Sequence, residues 1–367
     1  MLTPEATRPA TPARLRRLVQ PLVPPALFDF WASRLHPTWS WQRPLARIVA
    51  RQTESADAVT LLLQPNRHWA GALPGQHLNL GVEVDGVRVT RSYSLSDAVR
   101  ADGRVAITVK AISGGRLSQH LCQRAQVGDV LELDAAFGDM TLPASPHGRW
   151  LFLAAGSGIT PLMAMVRQLA AQGMPVPLTL VYWTRTRAER CFADELRALA
   201  AKHADFTVHF VLTREPATLA DEGEGRIDAM RLSACVPDLD TRQVFACGPG
   251  GFVDQARALA APQARSFHAE AFTPPPRLIG DTGTAQVTLA ASGRTLTLPR
   301  GASLLAALEA AGLKPAAGCR MGICNTCACA KRSGTTRHLH TGEEVGEPVS
   351  ALRLCVNSAA SDLVIDL

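Results

Sequence analysis

The chain has 367 residues, 47% of them hydrophobic and 19% charged, with nine cysteines and a net charge of +6. That length exceeds one ordinary domain, the composition excludes a disordered chain, and an odd cysteine count with no secretory leader argues for reduced thiols rather than a disulfide framework. Residues 1–43 hold 6 basic and 2 acidic side chains, residues 44–284 hold 24 of each, and residues 285–367 hold 8 and 6; an excess confined to the ends excludes a nucleic-acid-binding body and favours docking at an acidic or membrane surface.

Residues 1–43 form a basic, Trp-rich extension. Prolines interrupt every apolar run after Arg8, Arg14, Arg16 and Arg17, so neither a signal peptide nor a bilayer span of about 20 apolar residues is expected. The expectation is a cytoplasmic monomer, at most peripheral at the inner face of the membrane. A short helix is predicted over Pro25–Leu35, with Leu27, Phe28, Phe30, Trp31 and Leu35 on a broad apolar side, followed by Trp39 and Trp41. Two readings stand side by side: an interfacial anchor, or aromatic packing on the next domain.

Residues 44–147 read as short strands at Leu45–Gln52, Ala58–Gln64, His77–Val84, Val87–Leu95, Arg104–Ile112 and Val130–Ala136, punctuated by Gly and Asp-Gly turns. That pattern predicts a small antiparallel β-barrel. Residues 148–273 alternate apolar strands (Trp150–Ala155, Leu178–Trp183, Thr207–Thr213, Gln243–Cys247) with helices (Leu162–Gln172, Ala193–Ala201), which predicts an α/β doubly wound parallel sheet. Residues 274–284, opened by Pro274-Pro275-Pro276, read as a stiff linker. Residues 285–367 give strands Ala285–Ala290 and Arg294–Leu298, a helix Ser303–Ala311, a cysteine-rich loop and a last strand Leu363–Leu367.

Cys319, Cys324 and Cys327 stand at C-x4-C-x2-C spacing, with Cys355 downstream. This is the ligand pattern of a plant-type [2Fe–2S] cluster. Gly318 and Gly322 let the backbone approach and aim N–H groups at the sulfurs. Structural zinc would require a second C-x2-C knuckle, and Cys355 stands alone. Cys329 reads as a spare structural thiol, Cys122, Cys191 and Cys235 as ordinary core or surface residues, and His338 and His340 as solvated.

Three further motifs carry chemistry. Arg91-Ser92-Tyr93-Ser94 lies on a barrel strand, with Arg91 and Tyr93 on one face and Ser92 and Ser94 on the other. Gly114-Gly115-Arg116-Leu117-Ser118 opens a short helix, as a pyrophosphate cradle or as a plain Gly-Gly turn. Gly156-Ser157-Gly158-Ile159-Thr160-Pro161 follows an apolar strand and leads into a helix, the context of a dinucleotide fingerprint, although Pro161 replaces the third glycine. Cys247-Gly248-Pro249 ends another apolar strand at the edge where such sheets bind ligands, and Cys247 alone could equally be a buried thiol.

In this order the motifs resemble the ferredoxin–NADP reductase superfamily, in the subgroup with a C-terminal plant-type ferredoxin domain, over residues 44–367. The resemblance implies an FAD-binding barrel, a nicotinamide-nucleotide domain and a β-grasp ferredoxin domain. It implies that Tyr93 stacks on the isoalloxazine and that the Ser94 hydroxyl reaches its N5. Arg91 with Gly114, Gly115, Leu117 and Ser118 would hold the FAD pyrophosphate, a charge-assisted task suited to Arg. Gly156, Gly158, Ile159, Thr160 and Pro161, with Gly248 and Pro249, would receive the nicotinamide nucleotide, Thr160 and Cys247 lying near the nicotinamide itself. Glu270 and Phe272 would close the flavin site. Thr213 and Arg214 match the hydroxyl–Arg pair that holds an adenosine 2′-phosphate in NADPH-preferring members, which favours NADPH over NADH. Electrons would run from NADPH through FAD and the cluster to an acceptor protein.

The basic, Trp-rich leader makes a membrane fatty acyl desaturase or related di-iron oxygenase the first expectation for that acceptor. A soluble ring-hydroxylating or demethylating oxygenase, or a hybrid-cluster protein, is the second. A flavin/iron–sulfur redox sensor without turnover is the reading from another functional class.

Overall fold

The computed structural model describes residues 24–273 and 281–367. Residues 1–23 of the basic extension and the Pro274–Pro276 stretch lie outside the described residues. The antiparallel barrel, the doubly wound α/β sheet and the α+β C-terminal unit are all present. Helix α1 (Pro25–Leu35) precedes the barrel, with Pro25 at its first turn, where a missing N–H costs nothing.

The barrel consists of β1 (Leu45–Ser55), β2 (Ala58–Pro65), β3 (His77–Val84), β4 (Val87–Ser94), β5 (Val105–Lys110) and β6 (Val130–Leu133), in spatial order β4-β3-β6-β1-β2-β5. A bridge between Leu95 and Ile107 joins the outer strands and closes the sheet on itself, and Leu61, Leu63, Leu78, Leu80, Val105 and Ile107 fill it. Asp85 and Gly86, at φ 51° and 73°, make the two-residue turn between β3 and β4. That turn pairs Val84 with Val87 and, counting back, His77 with Ser94 and Asn79 with Ser92. Helix α2 (Arg116–Gln123) packs across β3, β4 and β5.

The second unit is a six-stranded sheet built from β7 (Arg149–Ala155), β8 (Leu178–Thr184), β9 (Phe206–Leu212), β10 (Glu222–Glu224), β11 (Arg242–Gly248) and β12 (Ser266–Ala271), in order β10-β9-β8-β7-β11-β12, every pairing parallel. All seven residues of β8 are buried, as a strand covered on both faces requires. Helix α3 (Ile159–Ala171) starts three residues earlier than the sequence suggests, so Pro161 sits within its first turn, where it is tolerated. Helices α4 (Ala193–Lys202), α5 (Ala229–Cys235) and α6 (Gly250–Ala260) complete the layers. Strands β10 and β12 and helices α5 and α6 carry no clear sequence signal: β12 is a half-buried edge strand, and α6 opens on two glycines.

The C-terminal unit has a five-stranded sheet built from β13 (Thr284–Leu289), β14 (Thr295–Pro299), β15 (Ala328–Ser333), β18 (Val349–Arg353) and β20 (Leu363–Ile365), ordered β14-β13-β20-β15-β18, with a parallel β13–β20 pair at its centre. Helix α7 (Leu304–Ala310) is capped by the Ser303 hydroxyl, which accepts the Ala306 N–H at 3.2 Å. A small sheet of β16 (Thr336–His338), β17 (Glu344–Val345) and β19 (Asn357–Ala359) flanks it.

Candidate functional site

In the parallel sheet, strand order runs outward in opposite directions from β7 and β11. The crevice beyond the carboxyl ends of those two strands is where such sheets take ligands, and both glycine motifs end there. Gly156 has φ +54° and nothing within 4 Å of where a Cβ would lie, so it faces open space. A Cβ on Gly158 would fall 2.0 Å from the Cys247 carbonyl oxygen, and one on Gly248 would fall 2.9 Å from the Ala155 Cβ. These two glycines therefore let the β7 and β11 loops touch, a packing role, while Gly156 leaves room for a ligand. Ile159, Thr160 and Pro161 are buried, and the Thr160 hydroxyl donates to the Ser157 carbonyl at 2.9 Å. Pro249 is exposed at the start of α6.

Next along the edge, Thr213 and Arg214 line a cleft of about 430 Å³ with Glu215, Pro216 and Glu224. Among the described residues Arg185, Arg187, Arg190 and Arg197 are each paired with a carboxylate, and Arg214 is not. Trp183 Nε1 and Thr184 Oγ1, buried at the end of β8, have no partner within the protein. An unpaired guanidinium lining a cleft suits an anionic ligand such as a nucleotide.

On the barrel, the β3–β4 ribbon brings the pieces together. Ser94 Oγ lies 2.9 Å from His77 Nδ1, and His77 Nε2 lies 2.5 Å from Glu270 Oε2 on β12. Ser94, His77 and Glu270 thus form one chain across two units, with Ser94 and His77 buried and the Glu270 side chain only 11% exposed. Phe137 stacks on the His77 ring and Phe272 meets it edge-on, both with centroids 5.7 Å away. Cys247 pairs with Glu270 across β11 and β12 and is fully buried. Burial, followed by the nearby Glu270 charge, pushes its thiol far above the usual range, so it remains a neutral S–H. Burial likewise raises the Tyr93 phenol, which packs against the barrel core while Arg91 is exposed on the same strand.

Among the described residues Arg91 Nη1 donates to the Thr90 carbonyl, at 2.7 Å. Gly114, at φ +74°, faces open space, and the first turn of α2 presents the N–H groups of Arg116, Leu117 and Ser118. Leu117 points into the barrel core, so it offers a ligand its N–H alone, and Ser118 Oγ is already engaged by the Ile112 N–H at 3.2 Å. An exposed guanidinium and an open helix N-terminus are each groups that suit a pyrophosphate.

Three family models match the chain: an oxidoreductase FAD-binding domain over residues 46–142, an oxidoreductase NAD-binding domain over residues 152–258, and a 2Fe-2S iron–sulfur cluster binding domain over residues 287–356. An NADPH oxidoreductase of Mycobacterium tuberculosis is 35% identical over 361 residues, spanning 96% of this chain and 92% of its own length. The chain belongs to the FAD- and NAD-binding ferredoxin reductases with a C-terminal 2Fe-2S domain. A glycine betaine monooxygenase reductase subunit of Pseudomonas aeruginosa is 28% identical over 90% of the chain and 96% of its own length. Among solved structures, phthalate dioxygenase reductase shares 26% identity at a TM-score of 0.58, covering 88% of this chain and 97% of its own. The reductase is an NAD(P)H-dependent oxidoreductase that uses FAD and a [2Fe–2S] cluster.

The cluster loop of the reductase fits its group. Met321, Ile323 and Cys324 each donate a backbone N–H to Cys319 Sγ at 3.3 Å, and Cys319 N–H reaches Cys324 Sγ at 3.2 Å. Cys319 faces Cys324 and Cys355, and Cys355 faces Cys327, contacts that with the N–H donors hold the Cys319 thiol well below its ordinary range. Among the described residues no three His, Cys, Asp or Glu side chains close on one metal ion. Four adjoining cysteine sulfurs, Cys324 and Cys355 beside Cys319 and Cys327 beside Cys355, suit two irons with two thiolates each. Arg320 and Asn325, both left-handed at φ 61° and 55°, are held in that strained conformation by side-chain bonds. Arg320 forks onto Glu309 of α7 at 2.6 and 2.8 Å, and Arg353 reaches Asn325 Oδ1 and the Gly322 carbonyl, both at 2.7 Å.

The loop also touches the barrel. Asn79 is buried on β3, accepts the Ser92 hydroxyl and donates to Thr326 Oγ1 at 3.3 Å, and a Cβ on Gly318 would lie 2.8 Å from its amide nitrogen. His77, Asn79, Thr326, Arg320 and Arg353 are absent from the sequence-based site. Of these His77 was within reach, because the Asp85-Gly86 turn fixes the residue opposite Ser94.

Proposed function

We propose that the reductase carries electrons from NADPH to an oxygen-activating iron protein, with residues 44–147 holding FAD, 148–273 the nucleotide and 285–367 the cluster, joined by the 274–284 linker. When bound, the flavin and cluster supply conversion of a hydride pair into single electrons. The observation that carries this reading is that one face of the β3–β4 ribbon contacts both neighbours. His77, bonded to Ser94, meets Glu270 of the nucleotide unit, and Asn79, bonded to Ser92 two residues along, meets the cluster loop.

In this reading Tyr93 supports the flavin ring, and Arg91, Ser92 and the Gly114–Ser118 turn fix its phosphates. Ser94, His77 and Glu270 hold and move a proton between the flavin edge and the domain boundary. The neutral thiol of Cys247, with Gly156–Pro161, Gly248 and Pro249, shapes a dry pocket for the nicotinamide, and Phe272 shields it. Thr213 and the unpaired Arg214 favour NADPH, in keeping with the name of the NADPH oxidoreductase relative. Arg214→Ala should raise the KM for NADPH about tenfold or more while leaving NADH within about twofold; equal shifts would remove the 2′-phosphate assignment.

The acceptor we favour is a membrane fatty acyl desaturase or related di-iron oxygenase, met at the inner membrane face by a monomeric reductase. The outward apolar face of α1 supports it. A soluble hydroxylating or N-demethylating oxygenase is the second reading, favoured by relatives named glycine betaine monooxygenase and stachydrine N-demethylase reductase subunits. Reconstitution with NADPH and each acceptor class decides between them: product formation with the membrane desaturase is expected, and turnover confined to the soluble oxygenase would overturn the first choice.

A further inference from the structure

Helix α1 wears its apolar stripe on the outside. Leu27, Phe30, Trp31 and Leu35, spaced i, i+3, i+4 and i+8, are 50%, 51%, 60% and 79% exposed, and Trp39 just beyond the helix is 54% exposed. The opposite side does the anchoring. Ala32 is buried, Phe28 meets Trp41 edge-on at 5.2 Å, and Asp29 Oδ1 accepts the Trp41 N–H at 2.6 Å. A surface helix ordinarily turns its apolar stripe to the core; this one is fixed in the reverse sense, with a carboxylate inward. Arg34 lies over the Phe30 ring at 4.6 Å, a cation at the edge of the stripe. Residues 1–43 carry 6 basic against 2 acidic side chains, whereas residues 44–284 balance at 24 each, so the segment that contains α1 is, in sequence, the basic one.

We infer that this stripe is the surface by which the reductase lies on an anionic lipid bilayer. The inference rests on the membrane-acceptor reading and names its contact. Paired Trp side chains favour the headgroup boundary, Leu and Phe enter the acyl region, and Arg draws anionic lipid. A protein partner would satisfy the apolar stripe but leaves Arg34 at its edge, and the basic composition of the segment, without a specific role. No helix among the described residues is long and apolar enough to cross a membrane, so the contact is in-plane.

The test is flotation of the full-length holoprotein with vesicles of phosphatidylcholine alone or with phosphatidylglycerol. Flavin and cluster absorbance and ferricyanide reduction are read in the same samples. Wild type should float with the anionic vesicles, release in high salt and remain in solution with phosphatidylcholine alone. Trp31→Ser combined with Leu35→Ser should weaken anionic-vesicle binding about tenfold or more, since two large apolar groups no longer leave water, while ferricyanide reduction is unchanged. Arg34→Gln should weaken binding by a smaller factor. Absence of flotation by wild type, or equal flotation by the double variant, overturns the inference. So does a wild-type dimer that the double variant converts to monomer without any vesicle binding, because the stripe would then be a self-interface. Loss of flavin or cluster absorbance from wild type would instead strike at the reductase reading itself.

Discussion

Ser94, His77 and Glu270 meet although 17 and 193 residues separate the bonded pairs in sequence. A buried imidazole between a hydroxyl and a carboxylate can take a proton on one nitrogen as it releases one from the other. General acid–base assistance contributes roughly 10²–10⁴ in rate, so His77→Phe should slow NADPH-dependent flavin bleaching at least tenfold and alter its pH profile. Glu270→Gln should do the same more weakly, since an amide still holds the ring. An unchanged pH profile in both variants would reduce the chain to a structural tie. Ser94 and Glu270 were legible as motif residues, and His77 was legible only through turn register. Asn79 and Thr326 were not legible, because their contact depends on how two units dock, and no local pattern encodes that.

At the scale of elements, strand periodicity and turn chemistry delimit the barrel, and continuous apolar runs delimit the buried parallel strands. The short edge strand β10 (Glu222–Glu224) escaped because it contains no apolar residue. It is held by charge. Glu222 accepts from Arg187 at 2.5 Å, Arg190 at 3.0 Å and the Thr218 N–H at 3.0 Å, and its side chain is fully buried. The Arg187 bond comes first among the causes that bring its carboxyl down from 4.5 to about 2. A depressed carboxyl pKa stabilises the fold above the unfolded value and loses that contribution as pH falls through the folded one. The deficit in melting temperature of Glu222→Gln should therefore be full above about pH 4.5 and close as pH falls towards about 2. A deficit independent of pH would mean that the ion pairs do not set the stability of this edge.

Across the whole molecule, two interfaces converge on one barrel face, and the nucleotide unit is also tied to the barrel elsewhere. Phe192 N–H reaches Glu54 Oε1 at 3.1 Å, Lys110 meets Glu189 at 3.0 Å, and Arg167 donates to the Ser96 carbonyl at 2.6 Å, so barrel and nucleotide sheet are clamped well beyond His77 and Glu270. The cluster unit touches the same face through Asn79 and Thr326. The order of the three units was legible in the chain, since each carries its own ligand motif; their convergence was not. The most direct test of the relay is anaerobic rapid mixing of the holoprotein with NADPH, following flavin and cluster absorbance separately. Flavin should bleach first and the cluster second, with Asn79→Ala slowing only the second phase. A cluster that remains oxidised while the flavin is fully reduced, or that bleaches at a rate unrelated to the flavin, would contradict it.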